Sequence, residues 1–323
     1  MKYFLTGATG FVGGALAKKL CEAGHEVHAS VRTPDKAKEL QDLGVKVFKG
    51  DVTNKESMRE PMSGVDGVFH VAGWYKVGTK DKSDGEKVNI QGTRNVLELM
   101  QELKIPRGVY TSTLAINSDT HGQLVDETYR FKGKHLSEYD RSKAVAHDIA
   151  KEFIAKGLPL VIVQPGLIYG PGDTSSLRVS LLNLLKEQLP VLPLQTAQCW
   201  AHVEDVAEGH ILAMEKGKVG ESYFICGERY RTYDAFKLAS EISGKRAPAG
   251  LSPKMIKFMS VLVIPIETLL PEEYTSEYLR ILAGVTYIGD NSKAKRELGY
   301  NPRPVSEGWV ETVRHEMKLL GIS

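Results

Sequence analysis

The segment Thr6-Gly7-Ala8-Thr9-Gly10-Phe11-Val12-Gly13 follows the apolar run Tyr3-Phe4-Leu5 and precedes a helical pattern. This order predicts a strand, a glycine-rich turn and a helix. Gly7 permits the sharp turn, Gly10 lets the backbone approach a pyrophosphate, and Gly13 lets the helix pack closely on the sheet. Because a helix N-terminus also offers free N–H groups to an anion, the segment predicts a dinucleotide site, with an ordinary turn as the alternative. The predicted cofactor contacts here are Gly7, Thr9, Gly10, Phe11, Val12 and Gly13.

Strand-like and helical runs then alternate, which predicts a parallel sheet covered by helices on both faces. The predicted strands are 26–32, 45–51, 67–73, 108–115 and 160–164, and the predicted helices are 34–43, 54–63, 86–103 and 138–156. The fold class is therefore α/β, a Rossmann-type doubly wound sheet that binds ligands beyond the carboxyl ends of its strands. We expect a nucleotide-binding domain over 1–165, to which 202–227 returns, and a smaller, mostly helical substrate-binding lobe over 166–323.

Composition excludes several other classes of protein. The 323 residues carry a net charge of +2, from 42 basic and 40 acidic side chains, so no overall field for nucleic acid or an anionic membrane is expected. Cys21, Cys199 and Cys226 lie far apart in sequence and fit reduced thiols, and the nine histidines form no ligand pair, so we expect no metal. The first strand begins too early for a signal peptide, which predicts a cytoplasmic protein. The apolar run 258–266 is too short to span a bilayer.

The end of the second predicted strand indicates which dinucleotide is bound. An NAD-binding protein usually has an acidic residue there, whereas this chain has Ser30-Val31-Arg32. A guanidinium suits a 2′-phosphate, and Lys36 and Lys38 follow closely. The pattern therefore favours NADP over NAD, with a solvated surface arginine as the alternative.

Two further strand ends, and the helix after them, carry candidate site residues. Asp51-Val52 ends the third strand, where it can address the adenine, and Val71-Ala72-Gly73 ends the fourth, where small apolar residues let the cofactor pass. Asn89 lies at the start of an amphipathic helix. We interpret Asn89 as a link in a proton relay, the alternative being a polar residue bonded to its own backbone.

The chemistry is predicted at the end of the fifth strand, Tyr110-Thr111-Ser112-Thr113, and at Tyr139 and Lys143. Positions i and i+4 share a helix face. A lysine ammonium one turn away, together with a positive nicotinamide, would lower the pKa of a phenol from about 10 and make tyrosine a usable acid–base. Either Thr113 or Ser112 would hold the substrate oxygen. Because adjacent strand residues face opposite sides of the sheet, only one of the two hydroxyls can face the cofactor, and the sequence does not say which.

A second Tyr-x-x-x-Lys pair weakens the spacing argument taken alone. Tyr233 and Lys237 have the same spacing as Tyr139 and Lys143, but they follow the last predicted strand of the first domain. We interpret them as a solvated helix face.

Taken together, these motifs resemble the extended short-chain dehydrogenase/reductase family of the NAD-dependent epimerase/dehydratase superfamily, especially its dihydroflavonol 4-reductase-like branch. The resemblance continues through 164–173, 200–207, 290–294 and 298–300. It implies that Thr113 is the catalytic hydroxyl, Tyr139 the acid–base, Lys143 its partner and ribose ligand, and Asn89 the relay. It also implies that Pro165 borders the nicotinamide, with Ile168 among the cofactor contacts, and that helices 86–103 and 138–156 form a homodimer interface.

The activity implied by the resemblance is reduction, by NADP(H), of a ketone or aldehyde in a small, fairly apolar molecule. Leu114-Ala115 follows the predicted catalytic hydroxyl where dehydratases of the family carry Asp-Glu, and Ile116-Asn117-Ser118 stands where epimerases carry Val-Tyr-Gly. Gln164 stands where an arginine often precedes the proline. The alternatives are an epimerase that uses tightly held NAD on a nucleotide sugar and, less favoured, a non-catalytic sensor of NADP.

The second lobe begins where the strand–helix alternation breaks up, beyond residue 166, and a final helix over 306–320 closes the fold. Its later helices are rich in apolar side chains, most of which we expect to be core contacts between the lobes; the alternatives are a lid over an apolar substrate or a patch that touches a membrane. These side chains are Met255, Ile256, Phe258, Met259, Val261 to Ile264, Tyr274, Tyr278, Leu279, Ile281 and Leu282.

Overall fold

In the computed structural model of the protein, which describes residues 1–79, 81–269 and 275–322, strands and helices alternate over the first half of the chain. They are β1 (Lys2–Thr6), α1 (Phe11–Glu22), β2 (Glu26–Val31), α2 (Lys38–Asp42), β3 (Lys46–Lys49), α3 (Arg59–Met62), β4 (Gly67–His70), α4 (Thr93–Glu102), β5 (Gly108–Thr111), α5 (Glu138–Ala155) and β6 (Leu160–Pro165).

Shorter strands and further helices make up the second half. They are β7 (Leu167–Tyr169), α6 (Ser176–Leu185), β8 (Val191–Pro193), β9 (Ala197–His202), α7 (Val203–Lys216), β10 (Ser222–Ile225), β11 (Arg229–Arg231), α8 (Thr232–Ser243), β12 (Ala249–Leu251), α9 (Pro253–Leu262), α10 (Ser276–Leu282), β13 (Thr286–Tyr287), α11 (Ser292–Leu298) and α12 (Val305–Leu320).

Parallel strands form the central sheet in the order β10-β6-β5-β4-β1-β2-β3. The order reverses between β1 and β4, so the connections that leave these two strands diverge and open a cleft beyond Thr6 and His70. This arrangement confirms the Rossmann-type α/β fold. β10 lies beside β6, which brings part of 202–227 back to the sheet.

Helices bury both faces of the sheet because consecutive strand residues point in opposite directions. Leu5 of β1 joins the core on the side of α1 and α7, whereas Phe4 joins the core on the side of α4 and α5. The same alternation holds in β6, where Val161 and Ile162 belong to opposite cores. Because both faces of the central strands are covered, consecutive residues of these strands must be apolar, and the sequence shows such continuous apolar runs.

The second lobe contains more β-structure than its helical pattern suggests. β9 pairs with β7, β11 and β13 in a small mixed sheet, and β8 pairs with β12. The core of this lobe is aromatic: the Trp200 and Trp309 ring centroids are 5.2 Å apart, and Trp309 Nε1 donates to the Ala235 carbonyl (2.7 Å). The final helix, α12, begins one residue before its predicted start.

Four predicted elements differ from the structure in where they end or in how they begin. The fifth strand ends at Thr111 rather than at 115, because the Thr113 hydroxyl accepts the Ala115 N–H (3.2 Å) and starts a 3₁₀ helix over Leu114–Asn117. The helix predicted over 86–103 begins as a π-helix, Gly85–Gly92, before α4. The predicted helices 34–43 and 54–63 each begin with a 3₁₀ turn, Pro34–Lys36 and Lys55–Met58.

The expectation that the later apolar residues are core contacts is wrong for six of them. Ile256 and Leu279 are buried where α9 meets α10, but the opposite face of α9 and the turn after it are exposed among the described residues. Tyr274 lies outside the described residues. Within the described ranges, no helix combines the length and apolar content needed to cross a membrane. The six exposed residues are Met255, Phe258, Met259, Val261, Leu262 and Ile264.

The glycine turn allows a matched stability test. An added Cβ at Gly13 would overlap the Gly7 carbonyl oxygen, whereas one at Gly14 would lie 3.5 Å from the Ala8 carbonyl oxygen, an ordinary contact. We predict that Gly13→Ala lowers the free energy of unfolding by about 1–3 kcal/mol through overpacking. Gly14→Ala should raise it by up to about 1 kcal/mol through helix propensity. Urea unfolding of both variants measures this, and equal stabilities would contradict the packing argument.

Candidate active site

The glycine turn after β1 forms a cradle of backbone. Gly7 has φ +77°, and a Cβ there would lie 2.7 Å from the Ala72 nitrogen, so only glycine fits between the turn and the end of β4. Gly10 precedes α1 without a side-chain cap, and the first turn of α1 has no acidic residue. The free N–H groups therefore face a site suited to an anion, and a pyrophosphate fits it. Thr9 and Gly10 are exposed, and Phe11 and Val12 are half-buried.

A buried histidine that sequence reasoning missed fixes the floor of this cradle. Thr6 Oγ1 accepts the N–H groups of Val71 and Ala72 (3.2 Å each), so it donates to His70 Nδ1 (2.8 Å). His70 Nε2 then donates to Thr93 Oγ1 (3.1 Å). Burial, with a contribution from Lys143, lowers the pKa of His70 to about 3. The imidazole is thus neutral, and it ties β1, β4 and α4 together.

The predicted adenosine end is reached from β2 and β3. Arg32 follows β2 directly; it is exposed and makes no hydrogen bond or ion pair with any described residue, and Lys36 and Lys38 are exposed beside it. The Asp51 carboxylate accepts from the Thr53 N–H and hydroxyl (2.8 Å each), so it caps its own turn. The buried Val52 carbonyl accepts from Asn95 Nδ2 (2.8 Å). Arg32 is therefore the side chain free to bind here.

Lys143 is buried at the centre of the site. Its Nζ donates to the Thr111 carbonyl (2.7 Å) and to the Tyr110 hydroxyl (3.3 Å), and it lies 4.9 Å from the Tyr110 ring centroid. Burial lowers the pKa of Lys143 to about 7. At neutral pH this amine is close to the midpoint of its titration.

Tyr139 lies on the same helix as Lys143 and faces the Thr113 hydroxyl. Burial raises the pKa of Tyr139 to about 12; hydrogen bonding to Thr113 lowers it and the Asp140 carboxylate raises it. In the protein itself the pKa of Tyr139 is therefore raised, not lowered as expected from Lys143, because burial has the largest effect. The phenol is therefore fully protonated at neutral pH.

Ser112 and Thr113 point in opposite directions, as expected for adjacent residues at a strand end. Ser112 Oγ is bonded to His147 Nδ1 (3.0 Å) inside the sheet–helix core, where burial lowers the pKa of His147 to about 3. Thr113 is the hydroxyl brought next to Tyr139. Of the two candidates, the geometry leaves Thr113 facing the cleft.

Asn89 lies in the π-helical turn and joins two walls of the site. Its Oδ1 accepts the Trp74 N–H (2.7 Å), and its Nδ2 donates to the Trp74 carbonyl (2.9 Å) and to Ser142 Oγ (3.0 Å). A Cβ on Gly73 would lie 3.5 Å from Asn89 Oδ1 and 3.8 Å from Lys143 Nζ. Asn89, Gly73 and Lys143 are thus neighbours, and the half-buried Val71 and Ala72 precede them.

Pro165 and Ile168 lie where the central sheet passes into the second lobe. Pro165 ends β6 beside Ile225, and Ile168 pairs with Ala201 in the small sheet. A Cβ on Gly166, between them, would overlap the Cys199 carbonyl oxygen. Gln164 is buried in β6. The cysteines that are distant in sequence meet here, since the Cys199 and Cys226 thiols both approach the Gly289 carbonyl (3.4 and 3.7 Å).

The sequence profile of the NAD dependent epimerase/dehydratase family matches residues 3–226. The chain belongs to this family. Like its relatives, it is an NAD(P)-dependent oxidoreductase of the extended short-chain dehydrogenase/reductase type.

Individual relatives in this family cover nearly the whole chain. A putative dihydroflavonol 4-reductase of Synechocystis sp. is 32% identical over 96% of this chain and 93% of its own length. A 4-hydroxy-2-methyl-3-oxo-4-farnesyl-3,4-dihydroquinoline-1-oxide ketoreductase of Stigmatella aurantiaca is 29% identical over 97% and 96%. The crystal structure of gox2253 superposes with a TM-score of 0.86 at 30% identity, covering 99% of this chain and 98% of that one.

The second lobe of the protein contributes side chains to the site that no sequence pattern indicated. Ser137 Oγ and Tyr287 Oη donate to the two oxygens of the Asp140 carboxylate (2.8 and 3.2 Å), and burial raises the pKa of Asp140 to about 7. The Glu277 carboxylate accepts the Gly78 N–H (3.2 Å) and pairs with Lys82. Tyr287 and Glu277 lie far in sequence from the residues that they contact, so periodicity carries no signal for these contacts, whereas Ser137 belongs to the first domain and lies three residues before Asp140.

Other candidate positions take no part in the cluster. Tyr233 and Lys237 lie in α8 of the second lobe, where Lys237 is exposed. In the described part of the chain, no group of three or more His, Cys, Asp or Glu side chains is arranged to hold a metal ion.

The buried amine predicts a pH-dependent stability difference. Since the pKa of Lys143 is about 7 in the folded chain against an ordinary 10.5, the unfolded chain binds more protons between these values and stability rises with pH across that window. Lys143→Met removes this rise. The free energy of unfolding of the variant should therefore exceed that of the natural protein by the largest amount below about pH 7. This difference should shrink by up to about 4 kcal/mol towards pH 10.

Urea unfolding from about pH 6 to pH 10 measures this difference, because groups common to both proteins cancel. Lys132→Met, at an exposed lysine, is the control and should track the natural protein throughout. A constant gap between Lys143→Met and the natural protein would show that the amine is not titrating near neutrality.

Proposed function

We propose that the protein is an NADP(H)-dependent reductase that converts a ketone or aldehyde of a small, fairly apolar molecule to an alcohol. The observation that carries this proposal is the cluster of Thr113, Tyr139 and Lys143. These side chains meet at the carboxyl end of β5, beside the segment Val71-Ala72-Gly73 and across from the glycine cradle. Hydroxyl, phenol and amine together suit proton transfer to an oxygen.

The residues present fit a bound dinucleotide. The cradle of Gly7, Gly10 and Gly13 would hold the pyrophosphate, and Lys143 would bind the nicotinamide ribose. The segment 71–73, with Pro165 and Ile168, would border the nicotinamide, and Asp51 and Val52 would border the adenine. When bound, the cofactor supplies the hydride.

The protein's own part in the reaction is to position the carbonyl and deliver a proton. Thr113 Oγ1 would donate to the carbonyl oxygen, and Tyr139 Oη would transfer its proton to that oxygen as the C=O π bond breaks and the new C–H bond forms. A phenol whose pKa is raised to about 12 is protonated at neutral pH and can act as the proton donor in the reduction. Lys143, in its charged form, would stabilise the resulting phenolate until it is reprotonated.

In this scheme Asn89 would be a positioning residue for the groups around it. Because its amide binds Trp74 and Ser142, it holds the segment after β4 against the catalytic helix and lies beside Lys143. We propose that it keeps Lys143 in place and links it to the proton relay, as the resemblance implies.

Two sequence features favour this reductase over a nucleotide-sugar epimerase. Arg32 stands free where an NAD enzyme carries an acidic side chain, and Ile116-Asn117-Ser118 replaces the Val-Tyr-Gly of epimerases. The Stigmatella relative is named for reducing a farnesylated ketone, which supports an apolar carbonyl substrate. A homodimer formed through α4 and α5, and a cytoplasmic location, stay predictions from the sequence.

Cofactor preference tests the role of Arg32. We predict that Arg32→Ala weakens NADPH binding by about 10- to 100-fold, the value of a lost charge-assisted bidentate contact, and leaves NADH binding nearly unchanged. Calorimetric titration with both cofactors measures this. Arg314→Ala, at another exposed arginine, is the control. Equal binding of NADH and NADPH to the natural protein would remove the NADP assignment and direct attention to nucleotide sugars.

Paired substitutions test the catalytic cluster. We predict that Tyr139→Phe and Thr113→Val each lower kcat by about 10²- to 10⁴-fold on a carbonyl substrate while NADPH binding is retained. Ser112→Ala should keep kcat within about threefold, since its hydroxyl is bonded to His147 away from the cleft. Steady-state kinetics with a panel of aromatic and long-chain ketones measures this. A full loss in Ser112→Ala with activity retained in Thr113→Val would reverse the assignment of the two hydroxyls.

A further inference from the structure

Helix α9 presents its apolar stripe to solvent. Met255, Phe258, Met259 and Leu262 occupy positions i, i+3, i+4 and i+7 of one helix face, and all four are exposed, Phe258 by 65% and Leu262 by 57%. The opposite face, with Ile256 and Ser260, is buried. A surface helix of a soluble protein normally has the reverse arrangement. The apolar stripe of α9 therefore has no partner within the described part of the chain.

The turn after α9 extends this surface. Ile264, Ile266 and Leu269, in the 3₁₀ segment Ile264–Leu269, are exposed by 51%, 49% and 84%. Other large exposed apolar side chains of the described chain, such as Leu43, Leu124 and Val179, are scattered. Isolated residues of that kind are ordinary, whereas a contiguous patch marks a binding surface. We call residues 255–269 the apolar face.

The charges around the apolar face indicate what covers it. Residues 242–266 contain Lys245, Arg246, Lys254 and Lys257 and no acidic residue, and Glu241 and Glu267 flank this stretch; the whole chain has a net charge of +2. Lys245 approaches Glu187 (3.9 Å), whereas Arg246, Lys254 and Lys257 make no ion pair with a described residue. Unpaired cations beside an exposed apolar stripe are typical of a helix that lies in the interface of an anionic bilayer.

The apolar face is connected to the active site through packed elements. Ile256 of α9 packs with Leu279 and Ala283 of the α10 region, and Glu277 of α10 binds Gly78 and Lys82 in the segment that follows β4. Asn89 holds the start of that same segment at Trp74. A surface bound at α9 would thus lie on the side of the second lobe that reaches the cleft.

We propose that α9 and the turn after it dock on the surface of an anionic lipid bilayer. Phe258, Met259 and Leu262 enter the boundary between headgroups and acyl chains, while Lys254 and Lys257 contact the lipid phosphates with their stems along the apolar surface. The docking is peripheral and leaves the rest of the chain in water. It rests on the apolar face alone and is independent of the proposed cofactor preference and substrate.

Vesicle co-sedimentation of the full chain tests the proposal. We expect binding to phosphatidylcholine vesicles that contain about one third phosphatidylglycerol, weaker binding as salt is raised, and little binding to pure phosphatidylcholine. Phe258→Ser combined with Leu262→Ser should weaken this binding by about 10-fold or more, as should Lys254→Glu combined with Lys257→Glu. Leu124→Ser, which alters an exposed leucine elsewhere, is the control and should bind as the natural protein does. Unchanged thermal unfolding confirms that each variant is folded.

A fluorescence measurement places the helix in the bilayer. The three natural tryptophans are all buried, so Phe258→Trp introduces an exposed reporter. Its emission should shift to shorter wavelength and be quenched by brominated lipids on addition of the anionic vesicles, whereas Leu124→Trp should not respond.

Three results would overturn the proposal. One is no binding to either kind of vesicle, and another is equal binding to both, since charge would then play no part. The third is a dimer in sedimentation velocity that the Phe258 and Leu262 serine variant converts to monomer, because a second copy of the chain would then cover the apolar face.

Discussion

Burial of the Lys143 amino group is the constraint around which the candidate active site is arranged. An ammonium that is removed from water needs hydrogen-bond acceptors and neighbours that carry no positive charge, and the fold supplies both. The Thr111 carbonyl and the Tyr110 hydroxyl accept hydrogen bonds from Lys143 Nζ. His70 and His147 are kept neutral because burial lowers the pKa of each imidazole. Tyr139 is also uncharged at neutral pH. The Lys143 ammonium therefore forms no ion pair with a described side chain and can interact with groups that enter the cleft.

The two lobes are joined at α5, the helix that carries Tyr139 and Lys143. Tyr287 of the second lobe donates to Asp140, which directly follows Tyr139, and Glu277 holds the segment after β4. A shift of α10 or β13 would therefore move groups next to the Tyr139 phenol or next to the segment after β4. In a family whose members share one nucleotide-binding sheet, this contact is a place where differences in the second lobe can alter the reaction.

The sequence was informative wherever a local rule decides the structure. The glycine turn needs small residues at fixed spacing, and the alternation of strands and helices predicts the parallel sheet, so Gly7, Gly13 and the strand order along the chain could be located, whereas the ends of β4 and β5 were placed three and four residues too late. Strand alternation also implied that Ser112 and Thr113 face opposite sides, but not which side is the cleft, because that depends on the helix that packs against the strand. Asp140–Tyr287 and Cys199–Cys226 could not be predicted, since neither pair is close in sequence.

The error over α9 has a different physical origin. Periodicity shows that Met255, Phe258 and Leu262 share a face, and it was natural to assume that the protein itself covers that face, but a pattern does not say what covers it. The net charge of the whole chain also gave no indication of this surface. A sum over the chain conceals the stretch of 25 residues, 242–266, that has four cations and no anion. Both quantities describe averages, whereas an interface depends on which side chains are adjacent.

Stability and function make opposite demands on the buried ionisable groups. Burial raises the pKa of Asp140 to about 7, so its contribution to stability falls as pH rises from about 4 to 7; burial lowers the pKa of Lys143 to about 7, so its contribution recovers only above that value. The destabilising effects of the two groups therefore coincide near neutral pH. Apolar side chains at both positions would remove that destabilisation, but they would also remove the cation beside Tyr139 and the hydrogen bond that joins the second lobe to the catalytic helix. The placement of two such groups within one turn of α5 is best explained by the chemistry of the site, since packing alone does not require either.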